Sequence, residues 1–350
     1  MTAITGRTAD RPAADRADRE RAVVSVLRQH RIAVIGVLAV FATFAIALLV
    51  TGIEAHLGDA GAGAWIRSEY IGLNILPFLA GAFLGAPLLA GDFETGAFRF
   101  SMTQGVSIRR QLVIALLVLG ATAAVAAAVL GALSMFALAP SAHLAQRTLS
   151  PPGHWRPAYF NITALTLPAW SLLGLALGAL AGASIKRAGA AIAVTIVAIG
   201  IAAAALSGYA ARAPGGLYKE MLNVGAVAAR DSGAPFGHIM WNSNWPRSVT
   251  AKLNVAPGPT GSFWVASWFA GPNGRLSPSQ AGALIDRIPA AVHPSYARST
   301  AWMARRHVTA WFSYQPASRY WLFQSAFAAI LLAFAGASGF AAVRLASRRR

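Results

Sequence analysis

Cysteine is absent from this 350-residue chain, which excludes disulfides, thiolate metal sites and a cysteine nucleophile together and leaves the redox compartment open. Charge is scarce as well: 12% of the residues are Asp, Glu, Lys or Arg, against about 25% in an average soluble domain. Acids are scarcest, 12 against 30 Lys and Arg, for a formal net charge of +18. No Gly-x-x-x-x-Gly-Lys-Ser/Thr loop occurs, nor Gly-x-Ser-x-Gly, nor His-Glu-x-x-His. The chain therefore lacks the signatures of a phosphate-cradling ATPase, a serine hydrolase and a zinc hydrolase. Its seven histidines are scattered, with His143 and His154 in one stretch and His238, His293 and His307 in another, and read as structural or solvent-facing.

What is present is apolar. Hydrophobic residues make up 56% of the chain and its mean hydropathy is +0.52, too apolar for one water-soluble core. A bilayer core of about 30 Å is crossed by about 20 apolar helical residues. Six runs of that length lack Asp, Glu, Lys and Arg: Ile32 to Gly52, Tyr70 to Gly91, Gln111 to Ala139, Phe160 to Ser184, Ala188 to Tyr209 and Tyr320 to Val343. The first is too long, and lacks a suitable cleavage site, for a removable signal peptide. Much of the basic charge lies beside these runs, at Arg28 and Arg31, Arg109 and Arg110, Lys186 and Arg187, and Arg348 to Arg350. That placement fits membrane orientation rather than a nucleic-acid partner.

Short connections on one side carry about sixteen Lys and Arg and those on the other about three, which predicts that both termini are cytoplasmic. Residues 1–31 then form a cytoplasmic tail, with an apolar stripe through Ala22, Val23, Val26 and Leu27 that suits an interfacial helix. Residues 32–209 hold the first five spans. Residues 210–319 form an outer segment rich in Gly, Pro and Trp, and residues 320–350 the last span with a basic cytoplasmic tail.

In the outer segment, Ser277-Pro278 opens a helix to about Ile288, and a second helix is expected from Pro294 to His307. Alternation at Phe263 to Phe269 and at Val308 to Tyr314 predicts strands, with Pro272-Asn273-Gly274 as a turn. Trp241, Trp245, Trp264, Trp268, Trp302 and Trp311 either build a core there or line a ligand surface. The fold class is thus an α-helical polytopic membrane protein of six transmembrane helices, with a small α+β extracytoplasmic domain between the fifth and sixth.

The spans carry no ionisable side chain, which argues against an ion-driven pathway. Ser134, Ser171 and Ser207 lie in apolar runs, where serine bonds to its own or a neighbouring helix. The polar stretch 92–110 between the second and third runs is longer than a turn requires. It has room for a short helix across the cytoplasmic mouth, with Phe93, Ala97, Phe98 and Phe100 on the membrane side and Asp92, Glu94 and Arg99 facing a partner. Composition alone leaves open a plain solvated loop whose Arg109 and Arg110 set topology.

Leu89 to Arg110 resembles the corresponding stretch of bacterial ABC-2 type permeases, in an acidic residue, a Thr-Gly, an arginine, a Thr-Gln and a basic pair. Here these are Glu94, Thr95, Gly96, Arg99, Thr103, Gln104, Arg109 and Arg110. Asp92-Phe93 departs from the more polar pair expected before the acid. Leu27 to Arg31, before the first span, and Tyr314 to Gln324, before the last, resemble the same family. The second stretch contains Tyr314, Pro316, Ser318, Arg319, Trp321 and Gln324, which also suit anchoring at an outer water-lipid boundary.

The resemblance implies an exporter permease in the bacterial plasma membrane. It would hold no cofactor itself and would work with a cytoplasmic ABC ATPase subunit that binds ATP and Mg, and with a second permease chain, identical or related. The ATPase contact would be Asp92, Glu94, Thr95, Gly96, Arg99, Arg109 and Arg110. An apolar pathway suits a small-molecule, lipid or peptide substrate. Two other readings are a polytopic enzyme acting on lipid or cell-wall precursors and a secondary transporter.

Overall fold

The computed structural model describes residues 23–58, 72–94, 108–145, 157–206, 218–222, 263–289 and 301–348. The chain divides into two compact units, one of Met1–Leu138, Pro157–Ser207 and Gln324–Arg350, the other of Ala139–Arg156 and Gly208–Phe323.

The first unit is helical. Residues 23–29 are helical and precede α1, Arg31–His56. Val26 is buried in the same apolar cluster as Val34, Val37 and Phe41 of α1, while Leu27 of the same stripe is exposed. After α1 come α2, Leu76–Leu79, a π-turn, Ala80–Gly85, and α3, Ala86–Glu94. Then follow α4, Ile108–Ala145, one helical turn at Pro157–Phe160, α5, Thr166–Ile185, and α6, Ala188–Leu206. Among the described residues, five helices are long and apolar enough to cross a membrane: α1, α4, α5, α6 and the C-terminal α8, Tyr320–Arg348. These bear out a mostly helical, multi-pass membrane chain.

The second run, Tyr70 to Gly91, is described from residue 72 onward. The described apolar helix there is shorter, Leu76–Gly91, and is interrupted by the π-turn. Pro87 supplies a local reason, since in an α-helix its ring would press on the carbonyl of Phe83 and it has no N–H to give. The wider turn is seen in the Ala86 N–H, which donates to the Gly81 carbonyl five residues back.

The fourth run also starts later than Phe160, because Asn161 to Leu165 are not helical. Thr163 and Thr166 bond reciprocally, with Thr166 N–H donating to Thr163 Oγ1 at 3.2 Å and Thr163 N–H to Thr166 Oγ1 at 3.3 Å. This stops the chain from continuing as helix and starts α5. Pro168 follows inside the first turn of α5, where a missing N–H costs nothing.

α5 is the most buried of the long helices, and α2, the π-turn, α3 and α6 pack against it. The packing is backbone on backbone. A Cβ added at Gly81 would lie 2.7 Å from the Gly174 carbonyl, and one at Gly182 would lie 2.5 Å from the Ala86 carbonyl. Gly174 faces the Pro77 carbonyl, and Gly178 faces Gly85 and Ala86. Small residues are what let helix backbones approach closely in lipid. α4 closes on the other side, where Gly131 meets Thr163 and Ala164 and Gly120 meets Leu172 and Leu175. α1 meets α4 through Gly52 against Phe136 and Ala137, and His56 stacks on Phe136 with ring centroids 4.4 Å apart.

The second unit contains β1, Tyr218–Leu222, β2, Phe263–Gly271, β3, Gly274–Arg275, α7, Pro278–Asp286, and β4, Thr309–Gln315. The four strands form one antiparallel sheet in the order β1-β4-β2-β3. Trp268 pairs with Trp311, and the register shifts between Trp264 and Ala266. The turn at Pro272-Asn273 precedes Gly274, whose φ of +104 only glycine adopts freely. Ser277 caps α7 as its sequence predicts: Gln280 N–H donates to Ser277 Oγ at 3.2 Å and Ser277 N–H to Gln280 Oε1 at 2.8 Å.

Of the second expected helix, residues 301–304 are described and helical, and Pro294 to Thr300 lie outside the described residues. β1 carries no alternation that marked it beforehand. Among the described tryptophan side chains of this unit, Trp302 is half-buried with the Arg306 guanidinium 3.7 Å from its ring centroid.

The polar elbow at Glu94 and the buried glutamine of the last helix

Two sets of residues single themselves out in sequence, and the structure treats them differently. Glu94 ends α3. Its Oε1 accepts the backbone N–H of Ala188, the first residue of α6, at 2.9 Å. The first N–H groups of a helix have no partner inside it and carry partial positive charge, so a carboxylate there is stabilising by about 0.3–1 kcal/mol. The turn before Ala188 is only Lys186-Arg187. Lys186 takes the left-handed conformation, φ 61, and its N–H closes α5 on the Gly182 carbonyl at 3.2 Å. Glu94 therefore joins the end of α3 to the α5–α6 turn.

What carries Glu94 there is a run of small side chains. Ala86 and Ala90 of α3, Ala181 of α5 and Ala191 of α6 form one buried cluster. Asp92 lies two residues before the end of α3, with its side chain outside the described residues. Thr95, Gly96 and Arg99 lie outside them too, as do Thr103 and Gln104. Arg109 and Arg110 are exposed in the first turn of α4. Of the expected contact set, the structure thus shows Glu94 engaged within its own chain, and the basic pair free of the apolar interior.

The stretch before the last span divides. Tyr314 lies in β4, paired with Tyr218 of β1 and Trp264 of β2. Pro316 accepts the Arg319 N–H at 3.0 Å within the turn Ala317–Arg319, and Ser318 is exposed. Trp321 is 52% exposed, as an anchoring ring would be.

Gln324, grouped with these by sequence, is instead fully buried. Its Nε2 donates to the Phe160 carbonyl at 2.9 Å and its Oε1 accepts from Thr163 Oγ1 at 2.8 Å. Thr166 Oγ1 donates to the same Phe160 carbonyl at 2.9 Å, and Ser134 Oγ of α4 bonds the Ile162 carbonyl at 2.7 Å. These side chains pair the Phe160 and Ile162 carbonyls at the break over Asn161 to Leu165, as polar groups buried there require. Phe327 packs edge-on against Phe160 and Trp170 beside it.

Thr163 and Thr166 were not singled out by sequence. Two threonines three apart just before an apolar run were the available signal. Ser134 and Ser171 bond helix carbonyls, as serines in apolar runs were expected to. Among the described residues, Trp170 Nε1 is the buried side-chain polar atom with no hydrogen-bond partner, and no group of three or more His, Asp or Glu is arranged to hold a metal ion.

Residues 59–211 match the family model described as ABC-2 membrane transporter related. Over that stretch the chain resembles an ABC-2 type permease. The matched residues, less than half of the chain, hold the π-turn, Glu94, α4, α5 and α6. The two other resembling stretches, Leu27 to Arg31 and Tyr314 to Gln324, lie outside the match. The ABC-2 family is one of transporters and not of enzymes, and membrane transport by a multi-pass chain is the function class it supports. No curated protein matches the chain, and no solved structure does.

Proposed function

We propose that the chain is the membrane-spanning subunit of an ATP-driven exporter in the bacterial plasma membrane, with both termini cytoplasmic and residues 210–319 on the outer side. ATP and Mg bind a separate cytoplasmic ATPase subunit, and a second permease chain, identical or related, completes the assembly. The polar segment 92–110 receives the motion of the ATPase, with Asp92, Glu94, Thr95, Gly96, Arg99, Arg109 and Arg110 at the contact. The observation that carries this reading is the ABC-2 match over residues 59–211, centred on helices that meet at Glu94.

The Ala188 bond supports a relay because a push on the segment after Glu94 is felt at once by α3 and by the start of α6. Substrate passes along an apolar route and is a hydrophobic or amphipathic small molecule, lipid or peptide.

The test is co-expression with an ATP-binding subunit encoded beside this gene, purification, and assay of ATP hydrolysis and cargo movement in vesicles. Glu94→Ala with Arg99→Ala is expected to leave insertion and ATP hydrolysis intact and to cut transport at least tenfold. Normal transport by the double variant, or transport by vesicles holding this chain alone, counts against the relay.

A further inference from the structure

The helix that ends at Glu94 carries two face patterns, offset by one residue. Pro77, Gly81 and Gly85 recur every four residues, and Pro77 and Gly81 meet Gly174 while Gly85 meets Leu175 and Gly178. Ala86, Ala90 and Glu94 also recur every four residues. Ala86 and Ala90 meet Gly182, and Glu94 meets Ala188. One continuous α-helix cannot keep both series on one seam, because each residue advances about 100°. The π-turn at Ala80–Gly85 takes up the extra residue between them.

If that turn tightened to α-helix, the lower segment would rotate by about 100° relative to the upper one. Leu89 would then replace Ala90, and position 93 would replace Glu94. Gly182 has no room even for a methyl group, so a leucine side chain there must force α3 away from α5. The same change withdraws Glu94 from Ala188.

We infer that the π-turn is a one-residue register switch in this helix. The π form holds α3 closed on α5 and α6 with Glu94 capping α6, and the α form opens that seam. Pro87 biases the switch toward the π form, since an α-helix through it meets the ring clash and the missing N–H. The two forms differ in packing on a smooth glycine track, a bistable contact of the kind that turns a small displacement into a discrete step. The consequence for transport rests on the relay proposed above, but the switch itself does not.

Disulfide cross-linking reads the seam directly, because the chain has no cysteine of its own. Ala90→Cys with Ala191→Cys reports the closed form, both positions lying in one buried cluster. The purified full chain is oxidised in lipid nanodiscs without any ATPase. Deleting Phe83, an exposed residue of the π-turn, removes the stored residue and leaves the lower register in place. The expected cross-link yield equals or exceeds that of the full-length chain. Inserting a leucine after Leu88, within α3, moves Ala90 off the seam in either form of the turn and is expected to lower the yield at least tenfold.

Pro87→Ala frees the α form and is expected to lower the yield several-fold in the full-length chain but not in the Phe83 deletion. Equal losses in the Phe83 deletion and the insertion after Leu88, or no effect of Pro87→Ala, overturn the switch. If the Phe83 deletion does not fold, the Pro87→Ala result alone decides. With an ATPase added, the Phe83 deletion is expected to hydrolyse ATP without transporting. Full transport there refutes a role for the switch while leaving the ABC-2 reading standing.

Discussion

Gly178→Ala tests whether the glycine seam is as close as it is drawn. Its added Cβ would lie 2.7 Å from Ala86 N and 2.9 Å from Gly85 Cα, and closer still to the Gly81 carbonyl. All three are backbone atoms, so no side chain can swing aside. Reaching an ordinary contact of 3.4 Å from Ala86 N requires α5 and the start of α3 to part by about 0.7 Å, and clearing the Gly81 carbonyl of the π-turn requires more. A gap of that size forfeits roughly a quarter to a half of the dispersion energy along the seam. Overpacking of this kind costs about 1–3 kcal/mol, partly offset by the better helix propensity of alanine, about 1 kcal/mol.

Gly189→Ala in α6, where a Cβ meets nothing within 4 Å, keeps the propensity gain alone. Thermal unfolding in mild detergent, followed by tryptophan fluorescence, is expected to place Gly178→Ala roughly 2–8 °C below the parent and Gly189→Ala at or above it. Equal midpoints for the two variants would mean that the backbones are not in contact, and the register argument would go with them.

Three further outcomes follow from the same contacts. Gln324→Leu removes one acceptor from the Thr163 hydroxyl and one donor from the Phe160 carbonyl, so it is expected to destabilise by about 1–3 kcal/mol. Combining it with Thr163→Val should recover part of that loss in a double-mutant cycle of unfolding free energies, and strict additivity would show that the pair is not coupled. Glu94→Ala removes the acceptor of the Ala188 N–H, and the exchange rate of that amide is expected to rise a few-fold, in line with about 0.3–1 kcal/mol. Glu94→Gln, which keeps an acceptor oxygen, should give a smaller change.

His30, just before α1, is held below its ordinary pKa of 6.5 by burial. Its folded pKa is the lower one, so the unfolded chain takes up the proton first as the pH falls below about 6.5. Stability is therefore full above that pH and declines below it. His30→Phe should flatten this part of the difference between pH 7.5 and 5.5 in unfolding midpoints, and an unchanged difference would show that another group causes it.

Much of this chain could be read from local pattern. Lengths of charge-free residues located α1, α4, α6 and α8, because the bilayer imposes one length on every helix that crosses it. Ser277-Pro278 marked the start of α7, and alternation marked β2 and β4, because capping and strand pleat are set within a few residues. Glu94 was legible as a residue of interest from the motif around it. Its partner was not, since Ala188 lies 94 positions away and nothing in the polarity of either residue names the other.

The glycines show the same boundary. Gly178 and Gly189 are equivalent in composition and both lie in apolar runs, yet one is wedged against backbone and the other faces open space. Pro77, Gly81, Gly85 and Pro87 make the second helix easy to bend. Whether the chain would kink, end or take up a residue in a π-turn was decided by the glycine track of α5, which rewards only the register that brings Ala86 and Ala90 to its face. Likewise Gln324 reads as one polar residue among interfacial aromatics, and only the break at Asn161 to Leu165, which brings the Phe160 carbonyl and the Thr163 hydroxyl to it, draws it inside. Local physics determined which segments are helices and strands. Close approach between segments far apart in sequence decided where they break and which polar groups they bury, because a buried polar group must find its partner in space.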